Sequence, residues 1–286
     1  FGLRGFIMGQ LSKRAESIIR MQQFNCFACP HCKEPMQVEA DGRLQCENRH
    51  SFDVAKQGYV YMLAKPMNSM YSKELFDSRH HIITSGLYDR VQQKIAEIIG
   101  ITGAQILDTG CGEGSHLARI CARLEGAIGV GIDISKEAIV AAAKFNPSQI
   151  WCVGDLAKSP YQAASFDIIL NFLSPANYEE FARLLKPGGK VIKVVPQENY
   201  LKELRMQAFA DTEKESYTNE STVARFKEQF ENVTVERITY TMPLAESDVP
   251  KLLQMTPIGW HVENKDAITL REITIDLDIL VGTDRV

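Results

Sequence analysis

Four cysteines fall within 21 residues of one another, at positions 26, 29, 32 and 46, and a histidine follows at 50. Thiolates and imidazole at this density bind soft or borderline metals, zinc above all. The segment reads Cys26-Phe-Ala-Cys29-Pro-His31-Cys32-Lys, then a stretch with Asp41-Gly42 at its centre, then Cys46-Glu-Asn-Arg-His50. Asp-Gly between short alternating runs predicts a hairpin. A hairpin carries the Cys29/Cys32 turn to the Cys46/His50 turn. Three sulfurs and one nitrogen then form a closed tetrahedral set, structural because no coordination position stays open. Cys26 competes for membership, since its spacing to Cys29 is also Cys-x2-Cys. Cys29 and Cys32 are preferred as a compact Cys-Pro-x-Cys-Lys knuckle, from which His31 would point away. A metal-free redox pair would lack its usual βαβ surroundings and leave Cys46 and His50 idle. A segment of about 40 residues buries little core, so metal binding would supply its folding free energy.

A second constellation runs from Ala104 to His116: an apolar strand ending at Asp108, then Thr-Gly110-Cys-Gly112-Glu113-Gly114, then a helical run. Glycines let the backbone turn sharply and approach a ligand. Gly129-Val-Gly-Ile-Asp133 ends in another acid, 23 residues beyond Gly110, where a carboxylate can accept from both ribose hydroxyls. A dinucleotide loop needs a third glycine at 115, which is Ser115, and no Gly-Lys-Ser/Thr marks a P-loop. Three stations follow in order: Ile150–Asp155, Phe166–Asn171 opening into Phe-Leu-Ser-Pro175, and Leu184-Leu-Lys-Pro-Gly188-Gly189 with an apolar strand behind it. Strands alternating with helices over this length imply an α/β sheet that binds at its strand carboxyl ends. Asp108, Asp133, Asp155 and Asn171 all fall at such ends. Phe230–Met242 and Ile268–Val281, rich in β-branched residues, read as an antiparallel end to the sheet.

The glycine loop resembles that of S-adenosylmethionine-dependent methyltransferases of the Rossmann-like class. The resemblance implies an α/β fold with a mixed seven-stranded sheet. It also implies that Asp108, Gly110, Gly112 and Gly114 pass the methionine moiety, Asp133 binds the ribose and Asp155 contacts the adenine. An α/β domain of other function is the alternative. The order of zinc module, helical connector and methyltransferase domain is similar to the bacterial 23S rRNA guanine-N1 methyltransferases, from about Cys29 to the end. His50-Ser-Phe-Asp53, Ala55-Lys56-x-Gly58-Tyr59-Val60, Gly86-x-Tyr88, Glu113 in the loop, and Leu253-Gln-Met255-Thr-Pro257 with Trp260 carry it. It implies that Tyr88 lines the cofactor site, that Glu113 and Asn171 lie beside it, and that Tyr200 of Pro196-x-x-x-Tyr200 stands near the cofactor. The substrate implied is a guanine in a 23S ribosomal RNA hairpin near the peptide exit tunnel, and a homodimer is implied with it. Asn171-Phe-Leu-Ser-Pro175 resembles the Gram-positive branch that alters sensitivity to macrolides such as tylosin. No residue is singled out as the base that removes the guanine N1 proton. Rival functions are a methyltransferase for a quinone or polyketide precursor, which gives the zinc module no task, and a non-enzymatic binding factor, which need not keep Asp108, the glycines and Asp133.

These motifs place four segments: an extension at 1–25, the zinc module at 26–66, a helical connector at 67–100 and the methyltransferase domain at 101–286. Residues 1–25 lack an apolar run of signal-peptide length. With Met8 and Met21 as candidate starts, they read as a poorly ordered extension, native or foreign. In the connector, Ser69 is expected to cap a first helix that Gly86 ends, and Gly100 to close a second. His80 and His81 read as partly exposed helical residues.

The whole chain has 286 residues and a formal charge of −4, ordinary globular usage that excludes collagenous and wholly disordered classes. No apolar run reaches the roughly 18 residues that span a bilayer. Seven cysteines, an odd number, point to a reducing cytoplasm. A net negative charge argues at first sight against a nucleic-acid partner. The average conceals a split: residues 1–100 hold 13 basic and 10 acidic side chains, residues 101–286 hold 19 and 26. Lys33, Arg43, Arg49, Lys56 and Lys65 are candidate phosphate contacts, with recognition by shape and a salt-sensitive affinity.

Overall fold

The computed structural model describes residues 11–68, 70–210 and 218–286. In chain order its helices and strands are α1 (Lys13–Gln23), β1 (Met36–Val38), β2 (Arg43–Cys46), β3 (Ser51–Asp53), β4 (Val60–Tyr61), α2 (Lys73–Ile82), α3 (Asp89–Ile99), β5 (Gln105–Thr109), α4 (Ser115–Cys121) and β6 (Ile128–Asp133). Then come α5 (Lys136–Phe145), β7 (Ile150–Val153), β8 (Phe166–Phe172), α6 (Tyr178–Leu184), β9 (Leu185–Pro196), α7 (Lys202–Ala208), α8 (Glu220–Lys227), β10 (Phe230–Pro243), α9 (Val249–Met255), α10 (Pro257–Trp260) and β11 (Glu272–Arg285).

The main sheet runs β10-β11-β9-β8-β5-β6-β7-β4. Strands β9 through β4 are parallel to their neighbours, and β10 and β11 are antiparallel. Seven of these strands are the mixed sheet expected of a class I methyltransferase. The eighth, β4, comes from the zinc module and pairs Val60 with Cys152 and Tyr61 with Val153. Helices cover both faces, so the parallel strands read as continuous apolar runs: all four residues of β7 are buried.

The zinc module is a three-stranded antiparallel sheet, β1-β2-β3, with Asp41-Gly42 in its first turn. Gly42 has φ +88°, a left-handed conformation that glycine adopts without steric cost. Phe27, Met36, Leu44, Val54 and Met62 of the module share one buried cluster with Leu107, Val130 and Ile150 of the main sheet. Module and main domain therefore have a common core.

Helix α1 corrects an expectation. Residues 13–23 are a docked helix, not part of a poorly ordered extension, while residues 1–10 lie outside the described residues. Ser12 caps it by accepting from the Ala15 amide at 3.1 Å. Arg14 donates to the carbonyl of Val54 at 2.8 Å and of Asp41 at 2.6 Å. Ser17 donates to the Gly58 carbonyl, and Arg20 to that of Pro147 in the main domain. Ile18 and Met21 are buried in the shared cluster.

In the connector, Ser72 caps α2 through the Leu75 amide at 3.3 Å. Ser69, the expected cap, lies outside the described residues. Gly86 breaks the run at φ +102°, and Gly100 ends α3 in the left-handed conformation, both as the sequence predicts.

Candidate active site and zinc centre

The ligand set at the tip of the module is Cys29, Cys32, Cys46 and His50. Their four ligand atoms lie within 4.8 Å of one another. His50 Nδ1 is 3.4 Å from Cys29 Sγ and 3.5 Å from Cys46 Sγ, and Cys32 Sγ is 3.7 Å from Cys46 Sγ. A tetrahedron with bonds of ~2.3 Å to sulfur and ~2.0 Å to nitrogen has edges of about 3.5–3.8 Å, so the cluster fits zinc. Local turns make it: the Lys33 amide bonds back to the Cys29 carbonyl at 2.8 Å, and the Arg49 amide to that of Cys46 at 2.9 Å. The Asn48 side chain and the Glu34 amide hold the Cys32 thiol down at about 6, which favours the thiolate a metal needs. Cys26 is buried outside the set, where burial pushes its thiol up. His31 stays off the ligand set and stacks on Phe52.

A cavity of about 1000 Å³ opens at the carboxyl ends of β5, β6, β8 and β9. Strand β5 delivers Asp108 to its floor, 1% exposed, with no hydrogen-bond partner for Oδ1. Burial, then the nearby Asp133 and Glu113, raise the Asp108 carboxyl well above the usual range. A buried carboxylate oxygen without a partner awaits a donor, and a cationic ligand would supply both a donor and a countercharge.

Asp133 ends β6. Its Oδ2 accepts from the Gly112 amide and its Oδ1 from the Ser135 amide, both at 2.9 Å. These bonds fix the carboxylate at the cavity edge, with lone pairs left for a diol. Burial raises its pKa and the two amides oppose the rise. Glu113 is buried, accepts from the Ser115 hydroxyl and lies 3.4 Å from His80 Nδ1. Tyr88 and Tyr200 face the cavity with their hydroxyls 2.6 Å apart. Burial is the first cause that pushes both phenols up, Tyr200 to about 12. Asp155 lines the far end, where its Oδ1 caps a short turn through the Ala157 amide at 2.9 Å.

Gly110 lines the cavity, whereas Gly112 and Gly114 shape the loop from behind. Gly112 supplies the amide that holds Asp133, and Gly114 lies against the Trp151 ring. Asn171 also departs from its expected place on the wall. Its side chain is fully buried, with Nδ2 bonded to Thr109 Oγ1 at 3.0 Å, Ser174 Oγ at 2.7 Å and the Pro175 carbonyl at 2.9 Å. It braces the loop that forms the wall. The strand-end asparagine is visible in the sequence, but the direction of its side chain depends on the neighbouring strand.

Among the lining residues that the sequence did not point to are Arg79, His116 and Lys193, with Trp260 in this role. His116 stacks on Phe172 at 3.8 Å, and burial lowers its pKa to about 3. Lys193 had a signal that could have found it: it is a lone charge in the apolar run Val191-Ile-Lys-Val-Val.

Comparison with known proteins decides the family. The "RlmA, N-terminal" zinc-ribbon family matches residues 27–73, and "Methyltransferase domain" matches residues 106–189. A Bacillus subtilis protein named "Putative 23S rRNA (guanine-N(1)-)-methyltransferase YxjB" is 39% identical over 279 residues, 92% of this chain and 99% of that protein. The Streptomyces fradiae "23S rRNA (guanine(748)-N(1))-methyltransferase" is 32% identical over 240 residues, 82% of this chain and 85% of its own. The chain belongs to the 23S rRNA guanine-N1 methyltransferase family. It is thus an S-adenosylmethionine-dependent methyltransferase with a structural zinc ribbon. The Chlorobaculum tepidum "Demethylmenaquinone methyltransferase" is 30% identical over only 133 residues, 42% of this chain and 54% of its own. That likeness covers less than half of this chain.

Among the described residues no helix is long and apolar enough to cross a membrane.

Proposed function

We propose that this chain methylates N1 of a guanine in a hairpin of 23S ribosomal RNA. The observation that carries the proposal is the shared core: a zinc ribbon of the rRNA-methyltransferase type packs into the sheet whose strand ends form the cofactor cavity. Lys33, Arg43, Arg49, Lys56 and Lys65 are all exposed on or beside that module, where phosphates can meet them. A hairpin would be gripped by shape and backbone contacts, with the target base turned out of its stack to enter the cavity. A homodimer is the assembly we propose with it.

S-adenosylmethionine supplies an activated methyl group on a sulfonium. In our reading Asp133 holds the ribose, Asp108 and Gly110 the methionine moiety, and Asp155 the adenine. Tyr88, Tyr200 and His116 close the wall and exclude water. Transfer is an in-line displacement, so positioning supplies much of the rate.

The test is incubation of the purified protein with labelled S-adenosylmethionine and undermethylated 23S rRNA, followed by mapping of the label. Label at N1 of one hairpin guanine is the expected outcome. Label in small-molecule extracts but none in RNA overturns the proposal in favour of a quinone or polyketide methyltransferase.

A further inference from the structure

Guanine N1 carries a proton at neutral pH, and methylation there needs a group to take it. Most side chains around the cavity are poorly suited. Asp133 is held by two backbone amides and Glu113 by Ser115. His116 accepts a hydrogen bond at Nδ1 from Gln92 and stacks on Phe172.

Lys193 is different. It lies on β9 between Asn171 of β8 and Leu280 of β11. It is 5% exposed, yet it lines the cavity. Its Nζ donates to Asn171 Oδ1 at 2.5 Å and to the Ser174 carbonyl at 2.9 Å. Both partners are neutral, and no carboxylate among the described residues pairs with it. A buried ammonium without a counterion is costly, and such a group responds by losing its proton. An amine that donates two hydrogens to two fixed acceptors keeps one position free, and in the neutral form that position is a lone pair.

We propose that Lys193 is the general base of the reaction, an inference that rests on the guanine-N1 reading above. The neutral amine takes the proton from N1, breaking the N–H bond and leaving its electron pair on the purine. N1 uses that pair to form the new N–CH3 bond as the methyl group's bond to the sulfonium sulfur breaks, its electrons staying on sulfur. The cationic cofactor thus becomes a neutral thioether, the base becomes neutral N1-methylguanine, and the positive charge leaves as the proton on Lys193, then passes to water. Burial alone lowers this amine to about 8, so a useful fraction is neutral near physiological pH. The groups facing it from β8, its loop and β11 are Asn171, Ser174 and Leu280, none of them charged. The charged side chains that line the same cavity are Arg79, Arg205, Asp108, Glu113, Asp133 and Asp155.

The experiment compares wild type with Lys193→Arg and Lys193→Met in single-turnover methylation of a 23S hairpin fragment across pH, with cofactor affinity and zinc content measured alongside. The wild-type rate should rise with pH to a plateau with a midpoint near 8. Both variants should fall by about 10²–10⁴-fold and lose that midpoint while binding cofactor within about twofold of wild type. Arginine keeps the charge but cannot accept the proton, so a Lys193→Arg enzyme with more than a tenth of wild-type rate overturns the base assignment. Should either variant misfold, the wild-type protein alone decides, by 13C-methyl labelling and NMR titration of Lys193: a midpoint at the ordinary lysine value overturns the proposal. If wild type transfers methyl to a small molecule and not to RNA, the functional reading fails and the base assignment falls with it.

Discussion

Gly114 lies flat against the indole of Trp151. A Cβ at Gly114 would stand 2.8 Å from Cζ2 and Cζ3 of the ring and closer still to Cη2. Gly131, on the adjacent strand β6, meets the same ring, and Trp151 Nε1 donates to the Asn146 carbonyl at 2.8 Å. The indole is thus wedged beneath the glycine loop and sets its height above the sheet.

Gly114→Ala should therefore be costly. The residue has φ +80°, where an L side chain is strained, and the added methyl must displace an anchored, fully buried ring. Overpacking and backbone strain together predict a loss of about 2–4 kcal/mol, read from urea unfolding, with cofactor affinity falling in parallel. A variant as stable as wild type would mean that the ring can move aside.

Asp108 should couple cofactor binding to protons. Its carboxyl is raised well above the usual range by burial and by Asp133 and Glu113, so the empty site keeps its proton to higher pH than a site holding a cationic ligand. S-adenosylmethionine should bind more tightly as pH rises, with net proton release in calorimetry across buffers of different ionisation enthalpy. Asp108→Asn should weaken binding about tenfold to a hundredfold at neutral pH and reduce that release. Unchanged affinity in the variant would remove Asp108 from the cofactor site.

His116 should make stability depend on acid. Its pKa falls from 6.5 to about 3 because burial disfavours the imidazolium, with Arg79 and Arg119 adding repulsion. The unfolded chain therefore binds a proton below 6.5 that the native state refuses. Stability is full above that pH and declines as pH falls toward 3. His116→Gln cannot titrate, so its unfolding free energy should slope less steeply with pH over this window. Parallel slopes would contradict the buried neutral imidazole.

Zinc removal should unfold the module at residues 26–66 and loosen the sheet it joins. A Cys46→Ser, His50→Ala double variant should lose its one zinc by atomic absorption, along with far-UV and near-UV signals of the module. Cys26→Ser should keep its zinc, since Cys26 stands outside the cluster. Metal retained by the double variant would refute the ligand set.

Much of this was legible in the sequence because its causes are local. Spacing narrowed the ligands to Cys26, Cys29 and Cys32 on one side and Cys46/His50 on the other, since a single tight turn presents two ligand atoms whatever lies around it, and the fold left Cys26 out. The same holds for the acids at the ends of β5 and β6, where an apolar run, a glycine and a carboxylate lie in one short stretch. Gly86 and Gly100 announced helix ends because their backbone conformation is a property of the residue itself.

Tertiary structure alone decided the rest. Helix α1 carries few apolar residues and looked like an extension, but Arg14, Ser17 and Arg20 find carbonyl partners 27 to 127 residues away. Strand β4 is two residues long and becomes a strand only because β7 offers it an open edge. Asn171 turned inward because Thr109 of β5 and Ser174 received its amide. Whether Lys193 is a solvated charge or a desolvated amine depends on the strands on either side and the helices above it. Spacing along a chain sets which groups can share a turn. Burial and proton affinity are set by neighbours that only folding brings together.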